Sequence, residues 1–172
     1  IQQLEQNIID NFSRIGYKNL TPIQHKTIPV ILRQKNALII SATGTGKTEA
    51  AIIPIINSIS RTDKSKKGID VIYVTPLKAL NRDIFRRIQK YAEDNGLTAE
   101  IRHGDTTRIA RTKMSENPPN ILITTPETLA IILINKKMRE NIHKVKWVVI
   151  DEFHELISNE RGTHLTLSLE RL

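Results

Sequence analysis

Short apolar runs alternate along this chain with longer stretches in which apolar residues recur at helical spacing. Ala37–Ile40 (ALII), Asp70–Val74 (DVIYV), Thr98–Arg102, Ile121–Thr124 (ILIT) and Trp147–Ile150 (WVVI) each read as a short strand bounded by polar or turn-forming residues. Lys47–Ser60 reads as a helix that tolerates Pro54 in its interior, where proline can kink a helix. Lys78–Asn95 places Leu80, Ile84, Ile88 and Tyr91 on one helical face, and Gly96 supplies a C-terminal stop. A short basic helix is expected over 106–115, ended by Pro118 and Pro119, and Thr125-Pro126 begins another with its hydroxyl as N-cap. Five strands alternating with helices predict βαβ units, and so a three-layer α/β fold around a mainly parallel sheet. Arg61–Gly68 (RTDKSKKG) is a polar, basic surface loop, too short to separate two domains.

Composition narrows the classes this pattern allows. At 172 residues the chain holds one domain, or at most one domain plus a fragment of the next, and 39% hydrophobic with 26% charged residues suits a packed core. Lys and Arg number 26 against 18 Asp and Glu, a formal charge of +8 that leans towards a polyanionic partner such as nucleic acid. With no cysteine, disulfide frameworks, thiolate nucleophiles and Cys-based zinc sites are excluded. No run approaches the roughly 18 apolar residues of a membrane span, so a membrane partner is not expected. The missing cysteine is compatible with the cytoplasmic location expected for the chain. The chain opens on Ile1 and closes at Leu172 within a helix-like pattern, which reads as a piece of a longer protein.

Two places carry chemistry. Ser41-Ala42-Thr43-Gly44-Thr45-Gly46-Lys47-Thr48 lies between an expected strand and an expected helix, where a phosphate-binding loop belongs. Its glycines let backbone N–H groups turn towards phosphates, and the helix N-terminus adds partial positive charge. Lys47 is placed to reach the β and γ phosphates of ATP, and the Thr48 hydroxyl to ligate Mg²⁺. Serine rather than glycine stands at 41, so the strict phosphate-loop pattern fails by one residue while G-x-G-K-T is intact; Glu49 replaces the glycine a dinucleotide fingerprint would need. Asp151-Glu152-Phe153-His154 directly follows the last apolar strand. There Asp151 is the candidate Mg²⁺ ligand and Glu152 the candidate base for the attacking water.

Together these residues resemble the first RecA-like motor domain of superfamily 2 helicases and translocases. Ala42–Thr48 matches that superfamily's A-x-x-G-x-G-K-T, and DEFH its D-E-x-H box. Gly16–Gln24 is similar to the Q motif, Thr75–Asn81 to motif Ia, and Thr124–Glu127 to motif Ib. His103–Thr106, Pro118–Glu127 and Arg161–Leu172 look like the Lhr (large helicase-related) group, whose members are DNA-dependent ATPases moving 3′ to 5′ on single strands. The resemblance implies a RecA-like P-loop NTPase fold and ATP with Mg²⁺ as cofactors. It implies single-stranded nucleic acid as partner, DNA before RNA, and a second RecA-like domain of the same parental chain.

It also implies nucleotide contacts from Gln24, Thr43, Gly44, Thr45, Gly46, Lys47 and Thr48, and strand contacts from Pro76, Leu77, Lys78, Arg82, Thr125, Pro126 and Glu127. His154 would couple nucleotide state to the second domain. Departures are that the chain stops before motif III, and that Asn7 stands where DEAD-box relatives carry an adenine-stacking aromatic.

Single residues keep plainer readings beside these. Thr21-Pro22-Ile23-Gln24 satisfies a helix capping box, so Gln24 either reads adenine or closes a helix end. His154 bonded to a nearby loop is the alternative to coupling. His103 and Asp105 read as a turn, Trp147 as core, and Arg102 as a charge near the strand's track. A P-loop kinase for a small molecule and a non-catalytic nucleotide-sensing module are the rival functions.

Overall fold

The computed structural model describes residues 9–10, 12–13, 18–62, 67–76, 82–143, 145–157 and 160–172. They fall into two compact units, Ile1–Thr62 and Asp63–Leu172.

In the first unit, α1 (Pro22–Leu32) packs against α2 (Lys47–Ser60). Local chemistry starts α1. The Thr21 hydroxyl accepts from the Gln24 backbone N–H, the Gln24 side chain accepts from the Thr21 N–H, and Pro22 fills a first-turn position whose N–H has no helical acceptor. The two helices are held by burial of Ile28 and Ile31 from α1 and of Ile52, Ile53, Ile55, Ile56 and Ile59 from α2. Each side chain so buried contributes about 1.5–3 kcal/mol. Pro54 sits inside α2, which nonetheless runs as one helix from Lys47 to Ser60.

The second unit is a parallel sheet of β1 (Val71–Val74), β2 (Ala99–Arg102), β3 (Ile121–Thr124) and β4 (Trp147–Ile150), in the order β2-β3-β1-β4. The strands are level: Val74, Thr124, Arg102 and Ile150 form one row at their carboxyl ends. β1 and β3 are central and buried throughout, as near-continuous aliphatic runs require of parallel strands covered on both faces. The outer strands carry the exposed positions, Glu100 on β2 and Val148 on β4.

Helices cover both faces. Ile72, Val74 and Leu122 lie against α5 (Pro126–Ile134), α6 (Lys136–Ile142) and α8 (Glu160–Leu169) through Leu129, Ile132, Leu133, Met138, Ile142 and Leu165. α3 (Arg82–Asp94) packs on β2 and buries Ile88, Tyr91 and Ala92. α4 (Arg108–Glu116) follows β2, and α7 (Phe153–Ile157) follows the acidic turn after β4. Three layers and a parallel sheet are thus as the pattern implies.

One strand is not. Ala37–Ile40 makes no ladder among the described residues, and Leu38 and Ile40 are 76% and 79% exposed. Among the described residues the sheet therefore has four strands rather than the expected five. An apolar run becomes a strand only where a neighbouring backbone pairs with it, and among the described residues none does so here.

Candidate nucleotide and nucleic-acid site

The loop before α2 has the backbone of a phosphate cradle. Gly44 and Gly46 adopt φ of 76° and 85°, the left-handed region that glycine enters without strain. A Cβ on Gly44 would meet nothing within 4 Å, so conformation rather than space requires glycine there. Gly46 is the N-cap of α2 and no side chain caps the helix, which leaves its positive end open to an anion. The Lys47 ammonium folds back onto the Ser41 and Ala42 carbonyls at 2.7 and 2.9 Å, and Thr45 Oγ1 donates to the Ala42 carbonyl at 2.8 Å. A triphosphate offers Lys47 stronger acceptors than two carbonyls. This donor set, with Thr48 half-buried beside it, fits a Mg²⁺-bound triphosphate.

Gln24 is fully buried and ties α1 to this loop. Its Oε1 accepts from Thr21 N at 2.9 Å and its Nε2 donates to the Gly46 carbonyl at 3.4 Å, while Thr21 Oγ1 donates to the Thr45 carbonyl at 2.9 Å. The capping reading is present in the structure, with a second function in holding the loop.

The acidic turn is built on the second unit. Asp151 N donates to the Val74 carbonyl at 2.8 Å, extending the β4 to β1 pairing by one bond. Both oxygens of the Asp151 carboxylate are held: Oδ1 accepts from Glu152 N at 3.0 Å and Oδ2 from the Tyr73 hydroxyl at 2.6 Å. Each oxygen keeps a further lone pair with which to meet a metal ion. Glu152 has φ of 49°, a strained conformation for a non-glycine residue that costs on the order of 1–3 kcal/mol. Its carboxylate lies 3.5 Å from His154 Nδ1, and the His154 side chain is 75% exposed. The partner of His154 is therefore within its own turn.

Tyr73 is the residue that the sequence reading passed over. Its one signal is a hydroxyl-bearing aromatic within an aliphatic strand, VIYV. Its partner lies 78 positions away, brought near because Tyr73 pairs with Val149, two residues before Asp151 on the same face of β4.

Of the expected strand contacts, Pro76, Thr125 and Pro126 are buried, and Arg82 and Glu127 are exposed. The Thr125 hydroxyl is committed to α5, accepting from Thr128 N and donating to Thr128 Oγ1. Arg102, a charge expected near the strand's track, is 6% exposed. Leu77, Lys78 and Asn7 lie outside the described residues. His103 and Asp105 form a turn, as read, with Asp105 N donating to His103 Nδ1 at 3.2 Å. Trp147 is half-buried in β4.

A parallel sheet with helices on both faces, and loops of this chemistry at helix and strand ends, define a RecA-like nucleotide-binding domain. The DEAD/DEAH box helicase family model matches residues 21–172, and the chain belongs to that family. The ATP-dependent helicase Lhr-Core of Methanothermobacter thermautotrophicus is 40% identical over 95% of this chain, which covers 21% of that protein. Mycobacterium smegmatis helicase Lhr, solved bound to ssDNA and AMP-PNP, is 36% identical with a TM-score of 0.81, over 95% of this chain and 22% of that one. DEAD-box helicase Mss116, solved bound to ssRNA and UDP-BeF, is 31% identical with a TM-score of 0.79, over 92% of this chain and 33% of that one. The chain spans about a fifth of the length of the curated relatives it matches. The family match does not favour the kinase or the sensing module.

Proposed function

We propose that this chain is the ATP-binding motor domain of an ATP-dependent helicase or translocase that moves on single-stranded nucleic acid. The observation that carries the reading is the uncapped N-terminus of α2, opening on left-handed Gly46 with Lys47 and Thr48 as its first two residues. In this reading Thr43–Gly46 wrap the phosphates, Lys47 neutralises the β and γ phosphates, and Gln24 holds the loop and contacts adenine. Thr48 and Asp151 hold Mg²⁺, which, when bound, offsets charge on the phosphates and fixes their orientation. Glu152 takes the proton of the attacking water, its backbone held in an unusual conformation by the turn, and His154 beside it carries the nucleotide state towards a second RecA-like domain.

DNA rather than RNA is the proposed track, supported by the 36% identity to an Lhr helicase solved with ssDNA against 31% to a relative solved with ssRNA. Movement 3′ to 5′ is proposed from the resemblance to the Lhr group, and a cytoplasmic location from the cysteine-free composition. Pro76, Leu77, Lys78, Arg82, Thr125, Pro126 and Glu127 are the proposed strand contacts, made through backbone groups where the side chains are buried. The test is Glu152→Gln in the full-length protein. Single-turnover ATP hydrolysis is expected to fall by about 10²–10⁴-fold while a fluorescent ATP analogue still binds. Unchanged turnover would contradict the assignment of Glu152.

A further inference from the structure

Ser41 is where the loop departs from the strict phosphate-loop pattern, which wants glycine, and its side chain is engaged rather than idle. Ser41 Oγ lies 2.6 Å from Thr45 Oγ1, at the short end of the range for hydroxyl pairs. A hydroxyl has one proton, and that of Thr45 goes to the Ala42 carbonyl at 2.8 Å, so Ser41 is the donor of the pair. The Ala42 carbonyl accepts a second bond from the Lys47 ammonium at 2.9 Å, which occupies both of its lone pairs. One chain of bonds therefore runs from the Ser41 hydroxyl through Thr45 and Ala42 to the Lys47 ammonium, which also donates to the Ser41 carbonyl at 2.7 Å.

This chain braces the most deformable part of the loop. Gly44 and Gly46 flank Thr45 with φ of 76° and 85°, and glycine has more conformational freedom to lose than any other residue. Thr45 is fixed between them on two sides. Ser41 and Ala42 hold its hydroxyl, and Thr21 Oγ1 donates to its carbonyl at 2.9 Å. Two of the three Lys47 N–H groups bond the loop, and the third remains for a phosphate oxygen. A loop already ordered by its own bonds loses less conformational entropy when a ligand binds, which raises affinity. Glycine at 41 would have no group with which to reach Thr45.

We propose that Ser41 is a positioning residue for the nucleotide, its hydroxyl setting, through Thr45 and the Ala42 carbonyl, where the Lys47 ammonium stands. The assignment rests on the nucleotide-binding reading above and gives a role to a residue outside the expected contacts. It makes serine at 41 a gain for this loop and not a defect in the pattern.

Ser41→Ala, Ser41→Gly and Ser41→Thr in the full-length protein test it, with Thr45→Val and the Ser41→Ala/Thr45→Val double variant beside them. Titrations with a fluorescent ATP analogue and with its ADP counterpart give affinities, and thermal melting reports on the fold. Ser41→Ala and Ser41→Gly are each expected to weaken ATP-analogue binding about three- to tenfold, the worth of one net hydrogen bond. The ADP analogue should lose less, because a displaced Lys47 forfeits its γ-phosphate contact only in the triphosphate. Ser41→Thr keeps the hydroxyl and should bind like the wild type. The double variant should bind no more weakly than Thr45→Val alone, since both hydroxyls act through one chain.

Unchanged affinity in Ser41→Ala and Ser41→Gly, or tighter binding by Ser41→Gly, would overturn the proposal while leaving nucleotide binding established. Equal losses for the two nucleotides with a lower melting temperature would make Ser41 merely structural. A loss in Ser41→Thr as large as in Ser41→Ala would show that the hydroxyl is not what matters. Failure of the wild-type protein to bind either nucleotide would overturn both readings.

Discussion

Asp151 shows how much of a site can rest on one bond. Its carboxylate is pinned by its own turn on one oxygen and by the buried Tyr73 hydroxyl on the other, a 2.6 Å contact to a charged acceptor. Groups that orient a metal ligand typically affect metal affinity by 10–100-fold when removed. Tyr73→Phe in the full-length protein is therefore expected to raise, by about tenfold, the Mg²⁺ concentration needed for half-maximal binding of a fluorescent ATP analogue, with Mg²⁺-free binding unchanged. An unaltered Mg²⁺ dependence would show that the hydroxyl has no part in positioning Asp151. At this scale the sequence was legible where chemistry is local. Lys47, Thr48, Asp151 and Glu152 stand in contiguous motifs, whereas Tyr73 acts through strand register, which no local pattern displays.

Among the elements, those with start and stop signals in the chain itself were the readable ones. α2 spans Lys47–Ser60 as the spacing implied, and α5 begins at Pro126 with Thr125 as its N-cap. α1 was visible as a capping box, and the box is formed. Thr21→Ala is expected to destabilise the protein by about 1 kcal/mol in denaturant unfolding, the usual worth of an N-cap hydroxyl. Because the same hydroxyl donates to the Thr45 carbonyl, ATP-analogue affinity should fall as well. A variant with native stability would show that α1 owes nothing to its cap. Ala37–Ile40 illustrates the opposite case. Its composition suits a buried strand, yet pairing depends on backbone far away in sequence, and Leu38 and Ile40 remain exposed. The short helices α6 and α7 lacked readable periodicity because seven and five residues span two turns or fewer.

At the level of the molecule, fold and family were legible from motif order alone, since strand–turn–helix placement of a phosphate loop and a strand-ending Asp-Glu pair restrict the architecture to few choices. The track, polarity and partners were not, because they depend on surfaces and domains beyond one motor half, and the chain covers about a fifth of its curated relatives. The basic charge of +8 is in keeping with a polyanion, but charge alone does not distinguish DNA from RNA. The most direct measurement is the ATPase rate of the full-length protein alone and with single-stranded DNA, single-stranded RNA or duplex. Stimulation by single strands, strongest with DNA and abolished by Lys47→Ala, is the predicted result. A rate indifferent to all three nucleic acids would contradict the motor reading.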